Sequence, residues 1–283
     1  MKEAIVFLTK NITKELSEFA DEVAGETKKD VIIVSDEEPE LRAAAACVSI
    51  SRNHLEAKCS DSVCGMANLV GCNINNISTH IKKDVIAWDK LFFFFTSKFK
   101  SDACPIKFDS YDFVWVFEDD VFFRSANQIR IMSLKYKGAD LVSRSHVEEI
   151  EPKDWDWHWR SIKQAHRGPY FRSMMCACGI SRKLLSLIGE RAKPFVGLFH
   201  IESMLNTIAN ENNLKVICAK EFSTIVWKAD WTLDKMYQLP DNFFHPFKES
   251  RKEARERLLK MVYDNYSAVE DLPKFCFTSQ ELL

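Results

Sequence analysis

Three consecutive carboxylates, Glu118, Asp119 and Asp120, stand between two apolar runs at residues 113–117 and 121–123. A short continuous apolar run predicts a strand that is buried on both faces of a sheet. Adjacent carboxylates at the end of such a strand are costly unless solvent or a cation neutralises them. Carboxylate oxygens suit Mg²⁺ or Mn²⁺, usually shared with substrate phosphates. The triplet therefore predicts hard-cation chemistry at a strand end, where open α/β sheets form their ligand crevices.

The parity of the triplet separates the roles of its members. Side chains alternate along a strand, so Glu118 and Asp120 share one face and Asp119 points to the other. This favours the outer pair for the metal. Asp120 is the first ligand, and Glu118 contacts either the metal, directly or through water, or a ribose. Asp119 is then available for a ribose hydroxyl. The alternative for Asp120 is an acid at a strand end that solvent neutralises.

Composition narrows the class of protein. The chain has 283 residues, enough for one large domain or two small ones, and its 46% hydrophobic and 28% charged content is typical of a soluble globular protein. A net charge of −2 gives no basic field for nucleic acid, and eight glycines argue against repeated glycine-rich phosphate loops.

The nine scattered cysteines predict reduced thiols rather than a disulfide framework or a zinc site. The first apolar run is too short for a secretory signal, so we expect a cytoplasmic protein with no membrane anchor. The oligomeric state stays open.

Hydrophobic periodicity predicts the elements that position the triplet. Residues 4–8 and 31–34 are strands on either side of a helix at 13–23, and this βαβ unit implies a parallel sheet. Ser125 is a plausible cap for a helix at 125–136. Further strands are predicted at 47–50, 140–143, 174–180, 215–219 and 222–226, and further helices at 83–99, 181–188, 203–211 and 249–264.

Residues 148–172 differ in character from the rest of the chain. Trp155, Trp157, His158, Trp159 and His166 lie there among charges with little apolar periodicity. This pattern predicts an exposed loop or insertion, and clustered aromatic side chains on loops often stack on a ligand. The alternative is a loop that its tryptophans pin to the body of the protein.

The order of these elements resembles that of nucleotide-sugar glycosyltransferases of the GT-A fold over residues 1–248. Thr9 and Asp36 end the first two strands, where that family meets the nucleoside. The triplet Glu118-Asp119-Asp120 resembles the family's DxD motif, with Glu in the first place. The resemblance implies an α/β fold with a mixed, mainly parallel sheet flanked by helices in a single domain.

Two later motifs belong to the same resemblance. Glu202 opens a helix after the strand-turn that contains Gly179, and this is similar to the family's xED region, although Ser203 stands where the family prefers Asp. His245 resembles the late histidine that closes the metal site, and Lys248 then reaches the diphosphate. For these two residues the alternatives are a structural histidine and a solvated lysine.

The resemblance implies a role for each candidate residue. Residues 1–248 form the catalytic domain, with a nucleotide-sugar half at 1–124 and an acceptor half at 125–248, and residues 249–283 form a helical extension. Glu202 is the general base of an inverting transfer, unless it is only an acid at a helix N-terminus. The assigned sets are the metal ligands Asp120, His245 and Glu118; the donor contacts Thr9, Asp36, Trp88, Lys90, Glu118, Asp119 and Lys248; and the acceptor contacts Trp155, Trp157, His158 and Gly179.

More narrowly, the size and the Phe- and Cys-rich composition resemble the soluble glycosyltransferases of large algal viruses (chloroviruses), which include a xylosyltransferase. This resemblance implies Mn²⁺ or Mg²⁺ as cofactor, UDP-xylose as donor, a glycan as acceptor and the host cytoplasm as location. A sugar nucleotidyltransferase is less favoured, because residues 7–11 contain no glycine. A catalytically silent carbohydrate-binding protein on the same fold and a retaining mechanism both stay open.

Overall fold

The computed structural model describes residues 1–9, 12–35, 54–58, 96, 110–153, 159, 162–163, 166–191 and 200–267. The elements in chain order are β1 (Glu3–Thr9), α1 (Lys14–Thr27), β2 (Asp30–Ser35), β3 (His54–Lys58), β4 (Phe113–Glu118), α2 (Asn127–Lys135), β5 (Leu141–Ser143), β6 (Val147–Glu149), β7 (Tyr170–Arg172), β8 (Ala177–Ser181), α3 (Arg182–Arg191), α4 (Ile201–Glu211), β9 (Val216–Cys218), a 3₁₀ turn (Lys220–Phe222), α5 (Leu233–Gln238) and α6 (Arg251–Ser267).

Seven of these strands form one sheet in the order β3-β2-β1-β4-β8-β5-β9. β8 is antiparallel to its neighbours β4 and β5, and the other neighbouring pairs are parallel. β6 and β7 form a separate antiparallel pair. The predicted fold class, a mixed and mainly parallel sheet flanked by helices, is confirmed. Because β1, β4 and β5 point the same way, their carboxyl ends lie at one edge of the sheet.

The central strands are buried on both faces because helices cover each side. Every residue of β1 and of β4 is buried. Val6 and Val116 pack with α3 and α4 on one face. Phe7 and Phe117 pack with α1 and α2 on the other face. The continuous apolar runs in the sequence follow from this double burial.

Several predicted bounds are close to those of the structure. β1, β2 and α1 lie where the periodicity places them, and α1 continues to Thr27. Thr13 is its N-cap and accepts a hydrogen bond from Leu16 N at 3.1 Å. The predicted cap of α2 is wrong, because Ala126 is the N-cap residue. Ser125 Oγ instead accepts a bond from Asn127 N at 3.1 Å.

Two elements in the late part of the chain differ from the predictions. The strand predicted at 222–226 is wrong, because a 3₁₀ turn ends at Phe222 and Ile225 makes a single bridge to His245. The short helix α5 (Leu233–Gln238) was not predicted at all. The strand predicted at 47–50 lies outside the described residues, as does the helix at 83–99 apart from Thr96, which is helical.

The aromatic segment at 148–172 is only partly an exposed insertion. β6 and β7 pair at its base. Trp159 is fully buried and its ring lies 5.8 Å from that of Tyr170, so the prediction of exposure is wrong there. His166 is also buried, with Nδ1 at 2.9 Å from Glu211 Oε1. These contacts favour the alternative in which a tryptophan pins the segment to the body.

The last helix, α6, lies across α1 and the end of β4. Ala254 and Leu258 belong to a buried cluster with Phe122. The Arg255 guanidinium lies 4.8 Å from the ring centroid of Phe19 in α1. The domain boundary at residue 248 stays a prediction. Within the described part of the chain, no helix has both the length and the apolar character needed to cross a membrane.

Gly179 provides a test of the packing beneath the site. It faces Trp115 across the β4–β8 pair, and a Cβ atom there would lie 2.7 Å from ring atoms of Phe113 and Trp115. We expect Gly179→Ala to lower the free energy of unfolding by about 1–3 kcal/mol, because the rings must move. Urea unfolding measures this. Gly25→Ala in α1, where a Cβ meets nothing within 4 Å, is the control and should be neutral or stabilising. Equal stability of Gly179→Ala and wild type would contradict the packing.

Candidate functional site

The acidic triplet forms a turn at the carboxyl end of β4. Glu118 is the last strand residue, and its amide donates to Cys176 O at 2.8 Å. The Asp119 amide donates to Leu8 O, in β1, at 2.9 Å. The turn is therefore fixed from both neighbouring strands, and the carboxylates lie where the sheet opens.

A late segment of the chain pairs with this turn. Phe122 and Phe244 exchange both backbone hydrogen bonds, at 2.9 and 2.8 Å, and the Phe247 amide donates to Asp120 O at 2.9 Å. Because His245 lies inside this pairing, its side chain reaches the acidic turn from a distant part of the sequence.

Aromatic packing supports the pairing from below. The rings of Phe117 and Phe243 stack with centroids 5.5 Å apart and an interplanar angle of 4°. Phe123 and Phe222 pack against Phe243 at 5.1 and 5.3 Å. Since Phe117 precedes Glu118 and Phe243 lies two residues before His245, the same cluster positions both site residues.

Hydrogen bonds hold the imidazole of His245 in one orientation. Its Nδ1 lies 2.8 Å from Val226 O and donates to that carbonyl. Trp231 Nε1 donates to the backbone oxygen of His245 at 3.1 Å. The other ring nitrogen, Nε2, faces the carboxylates, 3.1 Å from Asp120 Oδ1 and 3.5 Å from Glu118 Oε2.

Burial and neighbouring charges both act on the pKa values of Glu118 and His245. Burial raises the pKa of Glu118, and the charges of Asp120 and Glu202 add to that effect while His245 opposes it. Burial would lower the pKa of His245, but its interactions with Asp120 and Glu118 outweigh burial and raise it. Positive charge is therefore favoured beside the two carboxylates, where the imidazole of His245 lies.

The donor atoms suit a divalent metal ion. Carboxylate oxygens and an imidazole nitrogen both bind Mn²⁺, and a carbonyl on Nδ1 is the usual support for a ligating histidine. Asp120 Oδ1 is buried, and its polar contact is the ion pair with His245 Nε2 at 3.1 Å, which is poorly aligned for a hydrogen bond. The thiol of Cys176 joins Glu118 and His245 in a buried group whose ligand atoms all lie within 4.8 Å of one another. Cys176 was not among the predicted site residues; it directly precedes β8, which pairs with β4 up to Phe117.

Asp119 and Lys248 extend the site in two directions. Thr9 Oγ1 donates to Asp119 Oδ2 at 2.5 Å, so Asp119 turns towards the end of β1. The two outer acids, Glu118 and Asp120, face His245, although β4 ends at Glu118 and Asp120 lies in the turn. That the outer pair binds the metal stays a prediction. Lys248 Nζ contacts Asp120 Oδ2, and its side chain is 74% exposed, so the ammonium group can turn to another anion.

Glu202 lies in the first turn of α4, near this group. Its Oε2 lies 2.9 Å from His200 Nε2, and its backbone oxygen accepts from Ser173 N at 2.9 Å. Its charge contributes to the raised pKa values of Glu118 and Cys176, which places it within electrostatic reach of the candidate metal ligands.

A second polar group lies one helical turn further along α4. Asn206 is fully buried, and its Oδ1 lies 2.7 Å from His146 Nδ1. The His146 ring stacks on Phe171 at 4.1 Å, with an interplanar angle of 4°. The sequence analysis did not identify His146 or Asn206, although the i, i+4 spacing of Glu202 and Asn206 predicts a shared helix face.

The remaining predicted site residues fall into two classes. Gly179 lies inside the sheet, where the rings of Phe113 and Trp115 occupy the space of a side chain. This packing accounts for the glycine, and its role as an acceptor contact stays a prediction. Outside the described residues lie Asp36, Trp88, Lys90, Trp155, Trp157 and His158.

Comparisons with known proteins find distant structural similarity. No protein-family model matches the sequence, and no curated protein sequence matches it. The chain is similar to the mannosyltransferase Ktr4p from S. cerevisiae, with 11% identity over 74% of this chain and 65% of that chain, at a TM-score of 0.38. It thus spans less than two thirds of that protein. It is also similar to mouse xyloside xylosyltransferase 1 in its apo form, with 9% identity over 88% of this chain and 96% of that chain, at 0.38. For the structure of Ktr4p in complex with GDP, the identity is 8% over 74% of this chain and 66% of that chain, at a TM-score of 0.32. Because these similarities are distant, we infer function from the residues of this chain.

The geometry predicts that divalent cations stabilise the folded protein. At a free cation concentration of 100 times its Kd, binding adds about 2.7 kcal/mol to the free energy of unfolding. We expect Mn²⁺ to raise the melting temperature of the wild type and to have little effect on His245→Ala, which lacks the nitrogen facing the acids. Differential scanning fluorimetry compares the shift within each variant.

Asp112→Asn is the matched control for this experiment. Asp112 directly precedes β4 at its amino end and pairs with Arg182 at 3.0 Å, away from the acidic turn. The cation should stabilise this variant as much as the wild type. A shift of equal size in His245→Ala would show that the ion binds elsewhere.

Proposed function

We propose that the protein is a metal-dependent glycosyltransferase of the GT-A arrangement, which transfers a sugar from a nucleoside diphosphate to a glycan hydroxyl. The observation that carries this proposal is the convergence of Glu118, Asp120, His245 and Lys248 at the carboxyl edge of the sheet. Open α/β sheets bind ligands at this edge. Acids and a histidine beside an exposed lysine suit a cation that is shared with a diphosphate.

The chain's own residues would hold the cation in a defined orientation. Glu118 and Asp120 offer carboxylate oxygens, and His245 offers Nε2 because its Nδ1 donates to Val226 O. When bound, Mn²⁺ or Mg²⁺ supplies positive charge that stabilises the diphosphate as it leaves. The buried Asp120 Oδ1 supports this assignment, since its contact with His245 is poorly aligned and a bound ion would satisfy this oxygen better.

The donor lies between the acidic turn and the end of β1. Lys248 turns from Asp120 to the diphosphate oxygens, which its exposure allows. Asp119, with Thr9 behind it, meets the ribose. By the family resemblance, the donor site also includes Asp36, Trp88 and Lys90. The same resemblance favours UDP-xylose as the donor.

The acceptor lies on the side of α4. Glu202 takes the proton from the acceptor hydroxyl as that oxygen attacks the sugar, in line with the leaving diphosphate, and the transfer inverts the configuration. The contact with His200 orients the Glu202 carboxylate. Position supports this role, because Glu202 is within electrostatic reach of Glu118.

β7 lies next to this acceptor side. Phe171 N, in β7, donates to Thr207 Oγ1 of α4 at 3.1 Å, and Ser173 N, directly after β7, donates to Glu202 O at 2.9 Å. β7 therefore lies beside the candidate base. We propose that Trp155, Trp157 and His158 form a stacking platform for the acceptor sugar, since the C–H faces of sugars pack on indole rings, and that Gly179 contributes to the acceptor site.

A donor panel tests the proposal. The release of nucleoside diphosphate is measured from UDP-xylose, UDP-glucose, UDP-galactose, UDP-GlcNAc, GDP-mannose and GDP-fucose, with and without Mn²⁺, in the presence of p-nitrophenyl glycosides as acceptors. We expect turnover of one donor, UDP-xylose first, that requires the cation. Asp120→Ala should lower this turnover by at least about 100-fold, because the leaving group loses its charge stabilisation.

Two variants separate the parts of the site. Glu202→Gln should keep cation-dependent binding of the nucleoside diphosphate in calorimetry and lose transfer to the acceptor. Asp112→Asn should keep both. If no donor turns over and neither UDP nor GDP binds in a cation-dependent way, the proposal is wrong. Cation-dependent binding of a nucleotide sugar without turnover would instead favour the carbohydrate-binding protein.

A further inference from the structure

The buried group at the acidic turn contains a sulfur atom that hard-cation chemistry does not require. Cys176 Sγ, a Glu118 carboxylate oxygen and a ring nitrogen of His245 all lie within 4.8 Å of one another, and all three residues are buried. Ligands of a single tetrahedral zinc-type ion lie about 2.0–2.3 Å from it, hence about 3.3–3.8 Å apart. These three groups would therefore close by about 1–1.5 Å at most to bind one ion.

The sheet fixes the thiol in this position. β4 and β8 pair in antiparallel register up to Phe117 and Ala177, and the Glu118 amide donates to Cys176 O at 2.8 Å. Glu118 and Cys176 are thus opposite each other across the pair, and opposite residues present their side chains on the same face. His245 reaches this face through the pairing of its segment with the turn.

We propose that Cys176 is a ligand of the divalent cation in this site, and that the site binds borderline cations such as Zn²⁺ and Co²⁺ through a thiolate more tightly than it binds Mg²⁺ or Mn²⁺. This inference rests on the cation site of the proposed function and adds a ligand to it. Thiolate and imidazole ligands favour borderline ions, whereas carboxylates alone favour hard ones. On binding, the S–H bond breaks, its proton passes to solvent and a bond from sulfur to metal forms.

The surroundings of the Cys176 thiol are negatively charged, because the carboxylates of Glu118, Glu202 and Asp120 all act on it. A bound divalent ion is the largest local charge in such a site and deprotonates a coordinating thiol.

Cobalt spectroscopy of the full chain tests the inference directly. Co²⁺ bound by a thiolate gives an intense near-ultraviolet charge-transfer band, which carboxylate and imidazole ligands do not give. We expect the band in the wild type at one equivalent of Co²⁺, and its loss in Cys176→Ala together with at least about 10-fold weaker Co²⁺ binding. Mn²⁺ binding to Cys176→Ala should change little, because the oxygens and the imidazole remain.

Two other cysteines serve as controls. Cys178 is buried in β8, two residues after Cys176, and Cys218 is exposed. Both Cys178→Ala and Cys218→Ala should keep the band. If Co²⁺ binds the wild type without the band, or if the band persists in Cys176→Ala, the inference is wrong. Should Cys176→Ala not fold, zinc-edge X-ray absorption of the wild type and of Cys218→Ala decides, because one sulfur in the coordination shell supports the inference and none overturns it.

The outcomes also distinguish this inference from the proposed function. Donor turnover that depends on Mn²⁺, without a thiolate band, would overturn the role of Cys176 and leave the transferase intact. A thiolate band without turnover of any donor would support the metal site and overturn the transferase.

Discussion

The candidate site depends on one contact, the antiparallel pairing of the segment around Phe244 with the turn that follows β4. Two backbone hydrogen bonds between Phe122 and Phe244 fix the register of this pairing. The stacked rings of Phe117 and Phe243 bury its underside. Without the pairing, the acids would lie at the end of a strand with no histidine nearby. With it, His245 faces the carboxylates and its other nitrogen is already bound to a carbonyl.

The acids of the site are partly or fully buried, so neighbouring groups must offset the cost of their negative charge. Burying Glu118 disfavours its ionised form, and the nearby acids increase the cost. His245 offsets part of that cost at Glu118, and His245 and Lys248 together favour the ionised form of Asp120. Glu118 ends a strand that is buried on both faces, and the pairing of Phe122 with Phe244 holds His245 against it. The acids and the imidazole are therefore fixed relative to one another.

The sequence predicts the donor side of this account better than its acceptor side. Continuous apolar runs identify β1, β2 and β4, and three adjacent acids after such a run mark the end of β4, where the sheet opens. The insertion was harder, because a lone buried tryptophan such as Trp159 has no periodicity around it. Cys176 was missed because its importance comes from pairing with Glu118 across two strands, and a cross-strand neighbour leaves no mark in local spacing. His146 was missed because its contacts, with Asn206 in α4 and Phe171 in β7, also join positions that are far apart in the sequence.

The central claim is that Glu118, Asp120 and His245 hold a divalent cation that a nucleoside diphosphate shares. A crystal structure of the protein with Mn²⁺ and UDP, with anomalous data collected at the manganese edge, tests it most directly. We expect one strong anomalous peak within bonding distance of His245 Nε2 and of a carboxylate oxygen of the turn, with the diphosphate of UDP on the same ion and Lys248 turned towards it. Bound UDP with no anomalous peak at this turn, or a peak held by other residues, would contradict the account.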